Sequence, residues 1–358
     1  MTARAAPSRL PFRRSGRLRA KTVTLAHGGG GKAMRDLIDD VFVTAFDNPA
    51  MGEMEDQARL DVTELVAGGG RLAFTTDSFV VDPIVFPGGD IGKLAVWGTV
   101  NDLAVGGARP LWLSAAFIIE EGFDVESLRR IAASMRQAAD AAEVAIVTGD
   151  TKVVGRGGAD KLFITTAGIG IIPPGVNLSA RAIRPGDRVL VNGRLGEHGA
   201  AILAARGEVE LESAIESDCR PLNGLVAALL KAAPLTRALR DATRGGIAAV
   251  LNEMAMAAGI GVLLEETALP LRSDVQGFCE ILGLDPLYLA NEGVLVAFVP
   301  QEQTDAALRT MRGHPAGEAA AVIGVVTAHR PGTVAMNTAF GGARIVDMLI
   351  GEQLPRIC

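Results

Sequence analysis

The sequence is poor in aromatic residues, in cysteine and in long apolar runs. Aromatics make up 4% of the 358 residues. No stretch approaches the roughly 20 apolar residues that a membrane helix needs, so we expect none. The three cysteines, Cys219, Cys279 and Cys358, form neither a CxxC pair nor a metal-ligand spacing. So sparse a set argues against a disulfide framework and fits a reducing cytoplasm.

Positive charge is scarce outside the first 21 residues. The remainder has 28 basic residues against 41 acidic ones, a net charge of about −13, and so acidic a body is a poor nucleic-acid binder. The pair Arg13-Arg14 is followed by no apolar segment, so an export signal is not expected. We interpret residues 1–21 as a disordered basic extension. Seven of the 35 basic residues lie there, with no acid: Arg4, Arg9, Arg13, Arg14, Arg17, Arg19 and Lys21.

The length predicts two domains, because 358 residues exceed one ordinary core. Hydrophobic residues make up 49% of the chain, which is enough to bury a large core. Residues 173–186 are rich in proline and glycine and mark the boundary. We predict an N-terminal domain over 22–178, a C-terminal α+β domain over 179–338, and a mobile arm over 339–358, where the pattern thins.

Hydrophobic periodicity predicts helices and strands in both halves, so the expected fold class is α+β. The predicted strands cover residues 23–25, 71–76, 111–119, 144–148, 161–172, 188–191, 294–299 and 321–326. The predicted helices cover residues 34–46, 91–105, 125–142, 197–206, 247–258 and 274–282.

A glycine-rich segment, His27-Gly28-Gly29-Gly30-Gly31-Lys32, lies between a predicted strand and a predicted helix. Glycines let backbone amides approach a phosphate, and a helix N-terminus favours its negative charge. The segment is not a Walker A motif, because Ala26 and Ala33 stand where that motif has glycine and Ser or Thr. It is therefore either a phosphate-binding loop or only a turn.

Four aspartates stand beside small residues near the ends of predicted elements. A single Asp in such a place is usually a turn or cap residue. Together they predict a site for magnesium and a nucleotide triphosphate, since this hard cation takes several oxygen ligands. They are Asp77 in Thr-Thr-Asp-Ser, Asp102 after Asn101, Asp150 in Thr148-Gly149-Asp150-Thr151-Lys152, and Asp241 in Asp241-Ala242-Thr243-Arg244-Gly245-Gly246.

Three further residues admit a chemical or a structural interpretation. Lys152 is a phosphate partner or a base if its pKa is lowered, and otherwise a solvated lysine. Glu292 precedes an apolar strand, where an acid is often part of a turn. Cys358 ends the printed sequence with a thiol on one covalent tether, either a reactive group that meets another protein or a simple end residue.

A longer pattern resembles a known family. Residues 102–110 match the D-x4-G-A-x-P signature of the aminoimidazole-ribonucleotide-synthetase-like ATP-binding superfamily. From about Val23 to Cys358 the chain resembles its hydrogenase-maturation branch of carbamoyl dehydratases, in residues 25–32, 148–154 and 241–246 and the terminal Pro-Arg-Ile-Cys. The resemblance implies a two-domain, PurM-like α+β fold whose N-terminal sheet pairs across a homodimer. ATP would lie between the domains.

The resemblance also implies a reaction. A carbamoyl group on the Cys358 thiol would be dehydrated at the expense of ATP to a thiocyanate, the source of cyanide for the iron of NiFe hydrogenase. A HypF-type carbamoyltransferase would load the thiol, and a HypC–HypD iron scaffold would receive the cyanide. The alternatives are another small-molecule kinase or synthetase of the superfamily, and a non-catalytic ATP-binding assembly factor.

Residue roles follow from the same resemblance. Lys152 and Glu292 match the lysine and glutamate that help deprotonate the substrate, and Cys358 matches the acceptor thiol. The implied magnesium ligands are Asp77, Asp102 and Asp150, with Asp241 as a fourth candidate. The nucleotide-binding residues would be His27, Gly28, Gly29, Gly30, Gly31, Lys32, Asp77, Asn101, Asp102, Thr148, Gly149, Asp150 and Arg244.

Overall fold

Two β-sheets organise the chain, one in each half. The computed structural model describes residues 18–29, 31–48, 57–58, 60–207, 215–348 and 356–357. No helix in these ranges is long and apolar enough to span a bilayer.

The N-terminal half contains a four-stranded sheet and a two-stranded hairpin. The strands of this half are β1 (Arg71–Phe79), β2 (Val85–Phe86), β3 (Gly89–Asp90), β4 (Arg109–Glu120), β5 (Ala145–Val154) and β6 (Leu162–Ile172), of which β2 and β3 form the hairpin. The larger sheet has the order β1-β6-β4-β5. Strands β4 and β5 are parallel, and the other pairs in this sheet are antiparallel.

Helices cover this sheet. They are α1 (Lys32–Leu37), a π-helical segment Ile38–Val43, α2 (Thr44–Phe46), α3 (Thr63–Ala67), α4 (Ile91–Val105) and α5 (Val125–Ala141). Helix α4 is apolar and buried on nearly every side, and the Asp90 carboxylate caps it by accepting from the backbone N–H groups of Gly92 and Lys93. Helix α5 is amphipathic and packs on α4, so α4 becomes the central helix of this half.

The C-terminal half is built on a seven-stranded sheet. Its strands are β7 (Arg188–Val191), β8 (Ala238–Asp241), β9 (Gly261–Glu265), β10 (Leu295–Val299), β11 (Ala321–Thr327), β12 (Val334–Asn337) and β13 (Ala343–Ile345). Their order is β13-β12-β9-β11-β7-β10-β8, with only the β9–β12 pair parallel. The helices are α6 (Glu197–Ala205), α7 (Asn223–Ala232), α8 (Gly246–Ala258), α9 (Ser273–Leu282) and α10 (Thr304–Arg312).

The two halves share a packed boundary. Helix α4 packs against α7 and β8 of the C-terminal half. Ala104 and Val105 at its end belong to the apolar cluster beneath α7 and α10. In the other direction, Ile202, Cys219 and Ala290 join the core of the N-terminal half. Central helix α4 is therefore the element that aligns the two sheets.

The structure corrects two sequence predictions near the N-terminus. Residues 23–25 are not a strand: Thr22 forms an isolated bridge with Asp124, and Leu25–Gly28 is a 3₁₀ helix. Leu18 is not part of a disordered extension, because it packs on the core and its backbone N–H donates to Asp40. The prediction for residues 1–17 lies outside the described residues.

The predicted C-terminal arm is also corrected at its start. Strand β13 pairs with β12, and Val346 is fully buried, so this part of the chain completes the sheet. Hydrophobic periodicity did not predict this strand because β13 has only three residues. Alternation over three residues is too short to recognise.

Candidate active site

Three of the four predicted aspartates come together at the boundary between the halves. Asp77 lies on β1, Asp102 on α4 and Asp241 at the end of β8. Packing of α4 against β1 and β8 brings the three elements together. The hydroxyl of Thr75 donates to Asp102 Oδ2 at 3.0 Å. A cavity of about 570 Å³ is lined by Asp102 and Asp241, together with Thr75, Arg240 and Glu253.

These acids carry poorly compensated negative charge. Burial raises the pKa of Asp102, and the neighbouring Asp77 raises it further. Burial, with the charges of Asp102 and Asp77, raises the pKa of Asp241 to about 7. Burial also raises the pKa of Asp77, opposed by the Ser78 N–H and Arg244. A cation would relieve this repulsion, so the donor set fits a hard metal ion.

The acids do not form a closed metal cage by themselves. Among the residues that the structure describes, no three His, Cys, Asp or Glu side chains are grouped closely enough to hold a metal ion. Magnesium usually keeps several waters and takes phosphate oxygens beside one or two carboxylates. The arrangement therefore suits a magnesium–nucleotide complex better than a bare structural metal.

Arg244 stands beside this acidic group. Its guanidinium lies 4.0 Å from Asp77 Oδ1 and is mostly exposed. It precedes α8, at a turn where Gly245 and Gly246 have φ of 75° and 59°. A Cβ on Gly246 would lie 2.4 Å from the Leu287 carbonyl oxygen, so the turn requires glycine.

Asp150 lies elsewhere in the same chain. It is on β5, and the register runs from Asp77 through Thr166 and Ala115 to Gly149. Three strand spacings separate β1 from β5, about 14 Å. Asp150 pairs with Lys152 Nζ at 3.4 Å, and both side chains are more than half exposed. One chain therefore does not bring Asp150 to the other three acids.

The glycine-rich segment lies against the β5 edge. A Cβ on Gly28 would meet the backbone nitrogen of Val153 at 2.8 Å, so only glycine allows this approach. His27 is buried, and its Nδ1 accepts from the Thr24 backbone N–H at 3.0 Å. Lys32 forms an ion pair with Asp36. Gly30 lies outside the described residues.

The strand beneath this segment contributes further predicted residues. Thr148, Gly149 and Asp150 border a small cavity of about 90 Å³ beside Phe42 and Phe117. A Cβ on Gly149 would lie 2.2 Å from the Ala115 carbonyl oxygen, so the tight pairing of β4 and β5 requires glycine here. The predicted phosphate loop and Asp150 therefore share one edge of the sheet.

Asn101 has a clear structural role. Its Nδ2 donates to the carbonyl oxygens of Arg220 and Glu292, at 3.1 and 3.3 Å. Its Oδ1 accepts from the Leu222 backbone N–H at 2.8 Å. These bonds join α4 to the C-terminal half directly beside Asp102. The predicted nucleotide contact of Asn101 stays a prediction.

Glu292 lies in a buried polar group that the sequence did not reveal. Its backbone N–H and that of Gly293 donate to the Asp218 carboxylate, at 3.0 and 2.9 Å. Burial raises the pKa of Asp218, while His198 and these bonds lower it. Neither Asp218 nor His198 stands in a recognisable motif, so no local signal could have identified them.

The chain end approaches this buried group. The Ile357 side chain is 5% exposed and belongs to the core of the N-terminal half. Its carbonyl oxygen lies 2.8 Å from His198 Nε2. Cys358, the predicted acceptor, lies outside the described residues, but the peptide bond ties it directly to Ile357.

The other two cysteines are poor nucleophiles. Cys219 is buried, and burial together with Glu292 and Asp218 raises its pKa well above the ordinary value. Burial raises the pKa of Cys279 to about 11. Because the thiolate is the reactive form, neither residue suits an acceptor role at neutral pH.

Comparisons with known proteins agree with this architecture. The profile of AIR synthase related protein, N-terminal domain, matches residues 54–172, and that of the C-terminal domain matches residues 184–337. The fold and these matches define the chain as an AIR synthase related protein, which confirms the predicted two-domain α+β class.

Individual relatives narrow the assignment. Carbamoyl dehydratase HypE of Rhodobacter capsulatus is 65% identical, covering 95% of this chain and 99% of the relative. A solved structure of hydrogenase maturation protein HypE in complex with ATP is 50% identical, covers 94% of this chain and 99% of that chain, and has a TM-score of 0.89. A HypE–HypF complex matches at 45% identity and a TM-score of 0.76, over 89% of this chain and 100% of that chain. The chain belongs to the HypE family of hydrogenase maturation enzymes.

Proposed function

We propose that this enzyme dehydrates a carbamoyl group carried on Cys358 to a thiocyanate, using ATP. The observation that carries the proposal is the position of Ile357, which is buried at the boundary of the halves beside His198. The residue before the terminal thiol is thus held within the protein. Burial of the residue beside Cys358 supports a role in which this thiol brings its carbamoyl group into the protein.

The chemistry balances as a two-step transfer. The amide oxygen of the S-carbamoyl group attacks the γ-phosphorus of ATP, and ADP leaves. The C–O bond then breaks, phosphate leaves with the former amide oxygen, and the nitrogen loses its two protons to give S–C≡N. Direct loss of hydroxide would be slow, so phosphorylation supplies the leaving group.

The acidic group at the boundary is proposed to position ATP. Asp77, Asp102 and Asp241 would hold the magnesium ion, which would supply positive charge to offset the negative charge that develops on the phosphates. Arg244, at the rim beside Asp77, would contact the phosphates. When the nucleotide and the amide are held in line, the entropy of aligning them is lost on binding. It therefore no longer adds to the barrier of the chemical step.

A base must accept the nitrogen protons, and Lys152 and Glu292 remain the two candidates. Lys152 is exposed on β5 beside Asp150, whereas Glu292 is buried beside Asp218. Burial shields Glu292 from solvent, whereas Lys152 is open to it. The buried group around Asp218 is also where Ile357 docks, so Glu292 is the favoured base.

We further infer a homodimer whose second copy completes the site. Strand β1 is an edge strand that exposes Leu72 and Phe74, with Phe74 72% exposed. Exposed apolar edge strands are uncommon in monomers, because they invite pairing. Asp150 lies at the opposite edge of the sheet, so a second copy whose β5 edge met β1 would bring Asp150 of the partner copy beside the strand that carries Asp77, and this is the proposed contribution.

Two partners follow from the family. A HypE–HypF complex is known among the solved relatives, so a HypF-type carbamoyltransferase is the proposed donor to Cys358. A HypC–HypD complex is the proposed acceptor that receives cyanide for hydrogenase iron. The proposed compartment is the cytoplasm, where a free terminal thiol stays reduced.

Intact-mass measurement tests the proposal. The protein is loaded by the carbamoyltransferase and then mixed with ATP and magnesium. We expect a mass loss of about 18 Da, one water, on the terminal peptide, with release of ADP and phosphate. Cys358→Ala should accept no carbamoyl group, whereas the matched control Cys279→Ala should load and react normally.

The same assay separates the alternatives. A small-molecule kinase or synthetase would consume ATP without changing the protein mass. A non-catalytic assembly factor would bind ATP but would not hydrolyse it when the protein carries a carbamoyl group. Equal loading of Cys358→Ala and wild type would show that another residue is the acceptor and would remove the mechanism.

A further inference from the structure

The backbone of Glu292 is held by hydrogen bonds to two side chains. Its N–H donates to the Asp218 carboxylate, with the two oxygens at 3.0 and 3.2 Å, and the next N–H, that of Gly293, donates to the same carboxylate at 2.9 Å. The Glu292 carbonyl oxygen accepts from Asn101 Nδ2 at 3.3 Å. Both peptide planes that flank Glu292 are therefore fixed, which sets the direction in which its side chain leaves the backbone.

The segment that carries Asp218 lies directly against this turn. A Cβ on Gly293 would lie 2.0 Å from the Asp218 carbonyl oxygen, so only glycine allows the two backbones to come this close. Asp218 is 3% exposed, and a buried carboxylate is costly unless hydrogen bonds and charges compensate it. The two N–H bonds and Arg220 oppose the rise in the pKa of Asp218 that burial causes, so they favour the charged carboxylate.

The same segment is tied to the central helix of the N-terminal half. Four residues after Asp218, the Leu222 backbone N–H donates to Asn101 Oδ1 at 2.8 Å. Asn101 lies on α4 and immediately precedes Asp102. The segment that begins at Asp218 therefore connects the backbone of Glu292 to the helix that carries a proposed magnesium ligand.

Resting on the proposed function, we infer that Asp218 positions Glu292, the favoured base, relative to the acids that bind the nucleotide. One carboxylate accepts from both N–H groups of the turn, so its loss would release the base while leaving the acids in place. Displacement of a catalytic group by about 1 Å can lower a rate by up to about 100-fold. Asp218 is a positioning residue, because it contacts the backbone of the turn and acts on the reaction through Glu292.

Single-turnover dehydration of preloaded protein tests this assignment. Asp218→Leu has a similar size and no acceptor, whereas Asp218→Asn keeps one acceptor oxygen. We expect dehydration to be about 30-fold slower in Asp218→Leu and about fivefold slower in Asp218→Asn, with normal loading and the KM for ATP within about twofold of wild type. Equal losses of loading and dehydration would overturn the assignment.

Asp187→Asn is the matched control for loss of a buried carboxylate. Asp187 is 4% exposed, lies in the same half of the chain and accepts from the Arg184 backbone N–H at 2.8 Å. We expect dehydration in Asp187→Asn at the wild-type rate. A loss as large as that of Asp218→Asn would assign the effect to general destabilisation and overturn the positioning role.

A double-mutant cycle tests whether Asp218 acts through Glu292. Glu292→Gln removes the base and keeps the backbone of the turn. Adding Asp218→Asn to Glu292→Gln should slow dehydration by less than about twofold, because the group that Asp218 positions is already gone. The full fivefold loss in that background would overturn the assignment, as would wild-type dehydration in Glu292→Gln alone.

Hydrogen exchange tests the turn without reference to turnover. Amide exchange is followed by mass spectrometry in peptides that cover residues 289–296 of the unloaded protein. We expect exchange about five- to tenfold faster in Asp218→Leu, because the hydrogen bonds to the carboxylate are lost, and unchanged exchange in Asp187→Asn. If Asp218→Leu does not fold, Asp218→Asn gives the same comparison with an effect of about twofold.

The exchange result separates the role of Asp218 from the proposed reaction. Wild-type exchange in the folded Asp218 variants would overturn the role of Asp218, whatever the dehydration rates. If the wild type forms no thiocyanate, the proposed reaction is removed, and faster exchange in the variants still supports Asp218 as the residue that fixes the turn.

Discussion

Acids of opposite character lie beside the two edges of the four-stranded sheet. On the β1 side, Asp102 and Asp241 are half-buried near Asp77, and desolvation raises their pKa values. On the β5 side, Asp150 is exposed and already paired with Lys152. Crowded, half-buried carboxylates gain from a cation, whereas a solvated ion pair gains little. The β1 edge is therefore the stronger candidate for the permanent metal ligands.

Substitution of Asp102 should have the largest effect, so it is the strongest test of the difference between the β1 and β5 edges. Asp102→Asn keeps an oxygen for the Thr75 hydroxyl but loses the charge, so the fold should persist. We expect ATP-dependent dehydration to fall about 100-fold or more, because charge stabilisation at the phosphates is lost. Loading by the carbamoyltransferase should stay normal, measured by intact mass. Asp140→Asn, an exposed change on α5, is the control.

A smaller effect is expected at Asp150. Asp150→Asn should load normally and accumulate the thiocarboxamide, with dehydration slowed about tenfold when magnesium is not saturating. The measurement is the ratio of carbamoylated to cyanated terminal peptide over time. Full turnover would remove Asp150 from the site. A loss larger than that of Asp102→Asn would invert the comparison between the two edges.

Asp241 gives a stability prediction with a defined pH dependence. Its pKa of about 7 in the folded protein exceeds the ordinary 3.8, so the folded state binds more protons between these values. Its contribution to stability is present at low pH and is lost as pH rises toward 7. Asp241→Asn has no carboxyl group to titrate, so it does not show this loss. The free energy of unfolding of the variant, relative to that of wild type, should therefore be about 2 kcal/mol higher at pH 8.5 than at pH 5.5.

Urea unfolding in EDTA, without nucleotide, measures this difference. Comparing the same variant at two pH values cancels any change in packing that the amide introduces. An equal effect at both pH values would mean that Asp241 is not strained by burial and its acidic neighbours, and the β1 edge would lose its distinguishing feature.

The smallest effect is expected from the exposed pair. Lys152→Gln should change the free energy of unfolding by less than about 1 kcal/mol, because solvent screens the contact with Asp150. Dehydration is measured on the same sample. A large stability loss would show that the β5 edge depends on this pair for folding and would weaken its contrast with the β1 edge.

Secondary structure was predicted best where one element carries its own signal. The bounds of α4 and β7 were predicted to the residue, since each is a largely apolar segment between turns or caps. Strands β8, β9 and β12 were not predicted. They have four or five residues each, and neighbouring strands rather than a long alternation stabilise them.

The site was predictable only in its parts. The motifs gave Asp77, Asp102 and Asp241, but their convergence depends on how α4 packs between two sheets, which no local pattern encodes. The separation of Asp150 from them is likewise a matter of strand order. His198 was not identified because a histidine in an apolar helix is usually structural.

The central claim is that the terminal thiol carries the group that is dehydrated. The most direct measurement is the intact mass of carbamoylated protein before and after addition of ATP and magnesium. We expect a loss of about 18 Da located on Cys358, dependent on ATP and abolished in Asp102→Asn. ATP consumption with no change in the mass of the terminal peptide would contradict it.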